Sequence, residues 1–478
     1  MDRPGEEVLW SPDPDRVAGA MVTRFRTEAN ERFGLDLGSY DDLYAWSVDR
    51  REDFWRFLWE FCGVVGDGPG KTVLADGGRM PGARWFPEAR LNFAENLLRG
   101  PDQAPALVFR GEVGDTRRLS FGDLRKEVGR IAGALAAAGV GPGDRVAGFL
   151  PNIPEAVIAM LATARLGAVW SSCSPDFGVQ GVLDRFGQIT PKVLFTADGY
   201  RYGGKCHDSL ATAALLRDEL SSLARLVVVP FLEPAPALDQ GMTGWSAFGS
   251  DEDPVPAYYR VPFDHPLYIM FSSGTTGLPK CMVHSVGGTL LQHLKEHQLH
   301  CDLRAGDKLF YFTTCGWMMW NWLVSGLASG ATVMLYDGHP LKPEPVIWDF
   351  AADEKIDVLG TSARWIAGCE KAGLKPAASH DLSALRAVLS TGSPLAPESF
   401  DYVYRDVKQD LQLSSISGGT DIISCFALGS PVLAVRRGEL QCRGLGMDVA
   451  VFDEEGEAVT GEKGELVCRA AFPSMPTG

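Results

Sequence analysis

Between a strand-like run, Pro266-Leu267-Tyr268-Ile269-Met270-Phe271, and the next apolar stretch lies Ser272-Ser273-Gly274-Thr275-Thr276-Gly277-Leu278-Pro279-Lys280. Glycines at 274 and 277 let backbone N–H groups turn inward with no Cβ in the way. The hydroxyls of Ser272, Ser273, Thr275 and Thr276 add donors, and Lys280 brings a mobile cation suited to phosphate oxygens. This is chemistry for holding a polyphosphate. It is not the Walker loop, in which the lysine follows the second glycine directly, because Leu278-Pro279 intervenes here.

Three further stretches offer matching chemistry. Gly392-Ser393-Pro394 follows a strand pattern at Ala387–Thr391, and the carboxyl ends of parallel strands are where open sheets bind ligands. Ser415-Ile416-Ser417-Gly418-Gly419-Thr420-Asp421 puts a hydroxyl beside a carboxylate in a glycine turn, a pairing able to hold a phosphate and a hard cation together. By itself, Gly418-Gly419 also fits a tight turn closing a hairpin. Thr313 to Trp322, centred on Trp317-Met318-Met319, reads equally as a core aromatic patch or as the wall of a substrate pocket.

The elements that must carry these groups alternate. Strand patterns at 106–110, 146–150, 168–172, 192–196 and 226–229 are interleaved with helical patterns at 120–138 and 154–166. Beyond the loop the rhythm resumes, with strands at 308–312, 332–336, 358–361 and 387–391 and helices at 289–297 and 343–355. Such alternation predicts an α/β fold of two doubly wound sheets with flanking helices. From Gly438 short strands and turns predict a smaller β-rich, barrel-like part. Residues 1–100 read as a tryptophan-rich helical lead-in, with Ser47 opening a capped helix toward Phe57 and Phe61. The expected divisions are therefore 1–100, 101–255, 256–437 and 438–478, with Pro230–Pro256 as a surface connection.

The loop Phe271–Lys280 closely resembles the phosphate loop of the adenylate-forming enzymes, which include acyl-CoA synthetases, luciferases and peptide-synthetase adenylation domains. The lead-in Ala83–Asn96 resembles that of the acetyl- and acetoacetyl-CoA synthetase families. The resemblance implies that Gly392, Ser393 and Pro394 meet adenine and that Ser415 to Thr420 complete the ATP site. It also implies that Lys280 and Thr420 face the phosphates while Asp421 helps hold Mg²⁺. Asp421 stands where the family usually has the longer glutamate. Trp317, Met318, Met319, Thr391 and Gly418 would line the acyl pocket. Acetyl-CoA synthetases carry tryptophan at the position of Gly418, so hydrogen there is expected to open room for an acid longer than acetate, with the Thr391 hydroxyl offered to a keto oxygen. Arg201, Gly203, Gly204 and Lys205 resemble a segment that meets CoA phosphates, with an inserted tyrosine, though a solvated charged turn reads as well there. The implied reaction activates acetoacetate with ATP and passes it to CoA. Another short-chain acyl-CoA synthetase, loading of a carrier-protein thiol, and nucleotide binding without chemistry are the alternatives. The family's chain continues past Gly478 into a small mobile domain carrying a lysine, so a truncated chain that binds better than it turns over is expected.

Composition sets the outer limits. The 478 residues are too many for one core, and 45% hydrophobic with 22% charged is ordinary for a globular protein. A formal charge of −16 argues against a nucleic-acid partner. The N-terminus lacks an apolar signal region, and Ala156–Trp170, interrupted by Arg165, reads as a buried helix, so no membrane partner and a cytoplasmic location are expected. Ten cysteines without a Cys-x-x-Cys pair suggest reduced thiols. His293, His297 and His300 share one helical face, and with Lys295 and Glu296 beside them they read as a wet helix surface rather than a metal site. A monomer or homodimer is expected.

Overall fold

A computed structural model describes residues 7–249, 254–272 and 277–478. Two seven-stranded sheets dominate it, each mostly parallel with one antiparallel edge hairpin. The first sheet runs, edge to edge, 242–244, 225–229, 193–197, 145–149, 169–173, 266–272 and 280–285. The second runs 412–415, 387–391, 358–362, 308–311, 332–337, 105–111 and 116–120. The α/β expectation holds. Each sheet borrows strands across the chain: the hairpin flanking the phosphate loop closes the first sheet, and residues 105–120 close the second. The strands are the Val/Leu/Ala-rich runs expected for parallel sheets covered on both faces. The stretch 230–256, expected as a bare connection, contains Met242–Gly244, which joins the first sheet in parallel with 226–228.

Aromatic packing organises the lead-in. The ring of Phe25 lies 4.7 Å from Phe57, 5.0 Å from Phe61 and 5.7 Å from Phe54. The helix break is not where the sequence suggested. Ser39, capping and boxed with Asp42, opens the helix Tyr40–Asp49, and Arg50 separates it from Arg51–Phe61. Ser47 sits inside the first of these helices, where its hydroxyl accepts from the Gly446 N–H at 2.8 Å. Tyr40 and Tyr44 donate to the Arg443 and Met447 carbonyls, so the lead-in is fastened to the β-rich part. Within that part, 449–452 and 465–468 pair antiparallel.

The helix Val286–Leu294, continued by a π-turn over Lys295–His300, overturns the wet-surface expectation. His293, Lys295, Glu296 and His297 are each 0% exposed. The interleaved polar residues mimic a solvated face, but Leu290, Leu291, Leu294 and Leu299 cover the rest, and a helix apolar nearly all round is a buried one. Among the described residues no group of three or more His, Cys, Asp or Glu is placed to hold an ion. The helix Pro154–Arg165 is buried along most of its length as expected, and among the described residues no helix is long and apolar enough to cross a membrane.

Candidate functional site

The strands on either side of residues 273–276 form a hairpin. Strands Pro266–Ser272 and Lys280–Ser285 pair antiparallel with Ser272 opposite Lys280, which brings that hydroxyl and that cation to the same edge of the first sheet. Ser273, Gly274, Thr275 and Thr276 lie outside the described residues. Ser272 shares a cavity of about 380 Å³ with Thr420, Trp317, Asp176 and Arg185. Three of the stretches singled out from sequence, far apart in the chain, thus face one space.

Beside it lies a second cavity of about 400 Å³, lined by Thr391, Gly392, Ser393, Pro394, Ser415, Ile416, Ser417 and Gly418. Its construction follows from the sheet. Strands Ala387–Thr391 and Gln412–Ser415 are parallel neighbours with Ser390 opposite Ser415, so both segments leave the same sheet edge side by side. The Ile416 N–H donates to the Ser390 carbonyl at 2.8 Å and carries the second segment inward. Gly392, at φ +90°, needs the freedom only glycine has, and a Cβ on it would touch the Trp317 ring at 3.7 Å. That contact puts Trp317 between the two cavities. Met318 and Met319 are buried in the helix behind it.

Two acyl-pocket expectations change in the geometry. The Thr391 hydroxyl donates to the Ile416 carbonyl at 3.1 Å, so its proton is engaged and the oxygen offers a lone pair instead. At Gly418 the space expected in place of an indole is filled by backbone. An added Cβ would fall 2.1 Å from the Ser424 carbonyl oxygen and 2.7 Å from the Cys425 Cα.

Gly418 and Gly419 belong to the strand Ser417–Gly419, paired with Ser424–Leu428, and the turn between these strands holds Thr420 and Asp421. The Asp421 carboxylate is exposed and makes no hydrogen bond or ion pair among the described residues. An unengaged carboxylate next in the chain to Thr420, which lines the cavity that Ser272 lines, fits a hard cation brought in with phosphates. Behind the turn, burial drives the His284 imidazole down to about 4, so it is neutral at physiological pH.

A third cavity, about 320 Å³, shares Ser174, Asp176 and Thr314 with the Ser272–Thr420 cavity. Arg201 lines it, on the hairpin formed by Gly199–Tyr202 and Lys205–Asp208. The hairpin's glycine amides are already occupied: Gly203 and Gly204 donate to the Glu112 carboxylate at 2.8 and 2.6 Å, and His339 donates at 2.7 Å. Burial would raise that carboxyl, but the three backbone donors outweigh it and hold it below the usual range. These two amides are therefore not free to meet an incoming phosphate.

Sequence reasoning missed several lining groups. Arg185, on the helix Val179–Ile189, stacks 4.5 Å from the Phe177 ring and places a cation in the Ser272–Thr420 cavity. Asp337 closes its strand at the third cavity, and burial pushes its carboxyl up to about 7 from 3.8, against an opposing N–H from Asn152 at 2.9 Å. A folded-state value above the unfolded one means the folded chain keeps a proton that the unfolded chain releases. This carboxyl therefore lowers stability progressively from about pH 4 to about pH 7, by at most roughly 4 kcal/mol. Solvent reaching the side chain from the cavity reduces that figure. Asp337→Asn removes the effect. The urea midpoint of the variant, relative to the parent, is expected to rise between pH 5 and pH 7.5, and a difference independent of pH would refute the assignment.

Residues 93–475 match the model of the AMP-binding enzyme family, and residues 40–97 match the acetyl-coenzyme A synthetase N-terminus. The chain is 54% identical to the acetoacetyl-coenzyme A synthetase of Rhizobium meliloti, over 98% of this chain and 73% of that one. It is 41% identical to a malonamoyl-CoA synthetase of Penicillium aethiopicum, over 97% of this chain and 68% of that one. The solved acetoacetyl-CoA synthetase from Streptomyces lividans superposes with a TM-score of 0.94 at 48% identity, covering 98% of this chain and 73% of that one. A hairpin pairing Ser272 with Lys280, two cavity-lining segments leaving one sheet edge and these likenesses agree, and the chain belongs to the adenylate-forming AMP-binding enzymes, in their acetoacetyl-CoA synthetase branch.

Proposed function

We propose that this chain is an AMP-forming acid–thiol ligase that activates acetoacetate with ATP and transfers the acyl group to CoA. The observation that carries the reading is the likeness over nearly the whole chain to acetoacetyl-CoA synthetases, joined to the three connected cavities. In the first half-reaction the acid's carboxylate oxygen attacks the α-phosphorus and pyrophosphate leaves. In the second, the CoA sulfur attacks the acyl carbon, its proton is lost and AMP departs.

Adenine sits against Gly392–Pro394 and Ser415–Gly418, and the phosphates reach the Ser272–Thr420 cavity. Lys280, Arg185 and the Thr420 hydroxyl neutralise charge gathering on the α-phosphate as the carboxylate attacks. Asp421 is the residue that would hold Mg²⁺, which when bound supplies Lewis-acid charge stabilisation to the phosphates. Trp317, at the junction of the two cavities, orients the acid. The third cavity, with Arg201 at its mouth, leads CoA's thiol to the acyl carbon. The lead-in, residues 1–100, steadies the adenylation core formed by 101–478.

A second acid is favoured by one bond. Because the Thr391 proton is engaged, its oxygen can accept from a carboxamide N–H but cannot donate to a ketone without breaking the 3.1 Å contact. Malonamate, with an amide where acetoacetate has its methyl ketone, satisfies that oxygen. Acid-dependent ATP–pyrophosphate exchange over acetate, butyrate, acetoacetate and malonamate tests both readings. Acetoacetate is expected to exchange fastest; preference for malonamate moves the substrate to the amide, and no exchange with any acid overturns the function.

A further inference from the structure

The buried helix 286–300 carries a polar network for which packing alone gives no account. Glu296, 0% exposed, reaches two parts of the site at once. One carboxyl oxygen accepts from the Trp322 indole N–H at 2.8 Å. The other accepts from the Ser424 hydroxyl at 2.5 Å and from the Cys425 N–H at 3.3 Å. Gln292 adds an amide donor to the Ser424 oxygen at 2.8 Å. Trp322 lies on the helix Met318–Ser325, whose N-cap is Trp317, while Ser424 and Cys425 begin the strand that follows the Thr420–Asp421 turn.

One turn earlier His293 makes a parallel link. The Ile423 carbonyl can only accept, so the His293 Nε2, 2.7 Å away, carries the proton. Nδ1 lies 2.8 Å from the Ser325 Oγ, again on the Trp317 helix, and that hydroxyl also reaches the Asn321 carbonyl at 2.9 Å. Ile423 sits at φ +48°, where a β-branched residue is a genuine outlier. Such strain persists only where the surroundings impose it, and here the imposing groups are known. The Glu296 segment is itself a π-turn, a distortion that is uncommon in helices and frequent beside functional sites.

We propose that Glu296 is a positioning residue, fixing the acyl-pocket helix and the Thr420–Asp421 turn in one register through Trp322 on one side and Ser424 with Cys425 on the other. The inference rests on the adenylation reading above. It assigns a task to a carboxyl that touches neither acid nor nucleotide. The Gly392–Pro394 segment, which follows strand 387–391, stands outside this link, whereas Ser417 and Gly418 pair with Ala427 and Cys425 and are held through it.

Glu296→Gln is nearly isosteric but replaces an acceptor with an NH₂, which must face either the Trp322 N–H or the Ser424 and Cys425 donors. The variant is expected to lose roughly 10- to 100-fold in kcat for acid-dependent exchange. The acid KM should rise several-fold and the ATP KM by less, because Gly392–Pro394 stays in place. Trp322→Phe and Ser424→Ala each cut one tie more gently. Each should cost less alone, and neither should add its full cost in the Glu296→Gln background, because they share that partner. Hydrogen exchange supplies a readout independent of turnover: amides of 318–325 and 417–425 should lose protection together, while 449–468 stays unchanged. Unchanged kinetics in Glu296→Gln, fully additive variants, or a lower Tm with intact kcat and KM would each overturn the proposal. Absence of exchange in the parent chain would overturn the adenylation reading instead, and the coupled loss of protection would still decide the link.

Discussion

Asp421→Ala is expected to lower acid-dependent ATP–pyrophosphate exchange about 100- to 1,000-fold, the scale at which removal of one well-placed transition-state stabiliser is felt. The effect should fall on catalysis and not on folding. Asp421 is exposed and bonds to nothing among the described residues, so the fold loses no contact with it. Surface changes of that kind stay within about 0.5 kcal/mol. Asp421→Asn separates charge from volume, since it keeps an oxygen but removes the negative charge that holds a divalent ion. Raising Mg²⁺ should then recover part of the Asp421→Asn rate and little of the Asp421→Ala rate. Asp421→Glu restores the family's longer carboxylate and should stay within about tenfold of the parent. Parent-like exchange by Asp421→Ala would take this residue out of the metal role and leave Lys280 and Arg185 as the principal charges on the phosphates.

The candidate site's neighbours were readable where chemistry and backbone geometry coincide locally. A strand, a run of hydroxyls and glycines and a terminal lysine can be recognised without knowing what packs behind them. Gly392–Pro394 was placed by the strand before it, since a ligand segment at the carboxyl end of a parallel strand follows from sheet architecture. The order of strands within the sheets was less accessible, because residues 105–120 join strands two hundred positions away and nothing in their composition names the partner. Positions 293–300 misled for a physical reason. Histidine, lysine and glutamate at helical spacing look like a solvated face, and only the lead-in on one side and the strand Ser424–Leu428 on the other make that face an interior one. Glu112 was invisible for the same cause. Its carboxylate meets Gly203 and Gly204 across about ninety residues, and neither segment signals the other. Arg185 passed as one charged residue among many until folding set it beside Ser272.

Gly418→Ala is expected to cost about 1 to 3 kcal/mol of stability and roughly 100-fold in adenylation, from a single methyl. The added carbon would lie 2.1 Å from the Ser424 carbonyl oxygen and 2.7 Å from the Cys425 Cα. Both are main-chain atoms of the paired strand and cannot rotate aside as a side-chain tip would. The strand Ser424–Leu428 must therefore shift, and its first residue is the one held by Glu296 at 2.5 Å. Relief in the opposite direction displaces Thr420, two residues on, from the phosphates. Gly419→Ala is the control. Its Cβ would meet nothing closer than the Asp421 carboxylate at 3.5 Å, an ordinary contact, and it should keep near-parent stability. Gly418→Trp then behaves differently from the sequence-based expectation of a shift toward short acids. The indole cannot reach a pocket until the hairpin has moved, so exchange should fall with every acid tested. Thermal unfolding together with exchange over acetate, butyrate and acetoacetate decides the matter. A stable Gly418→Trp variant that gains acetate activity would show that the strand pair yields and that residue 418 sets acid length after all.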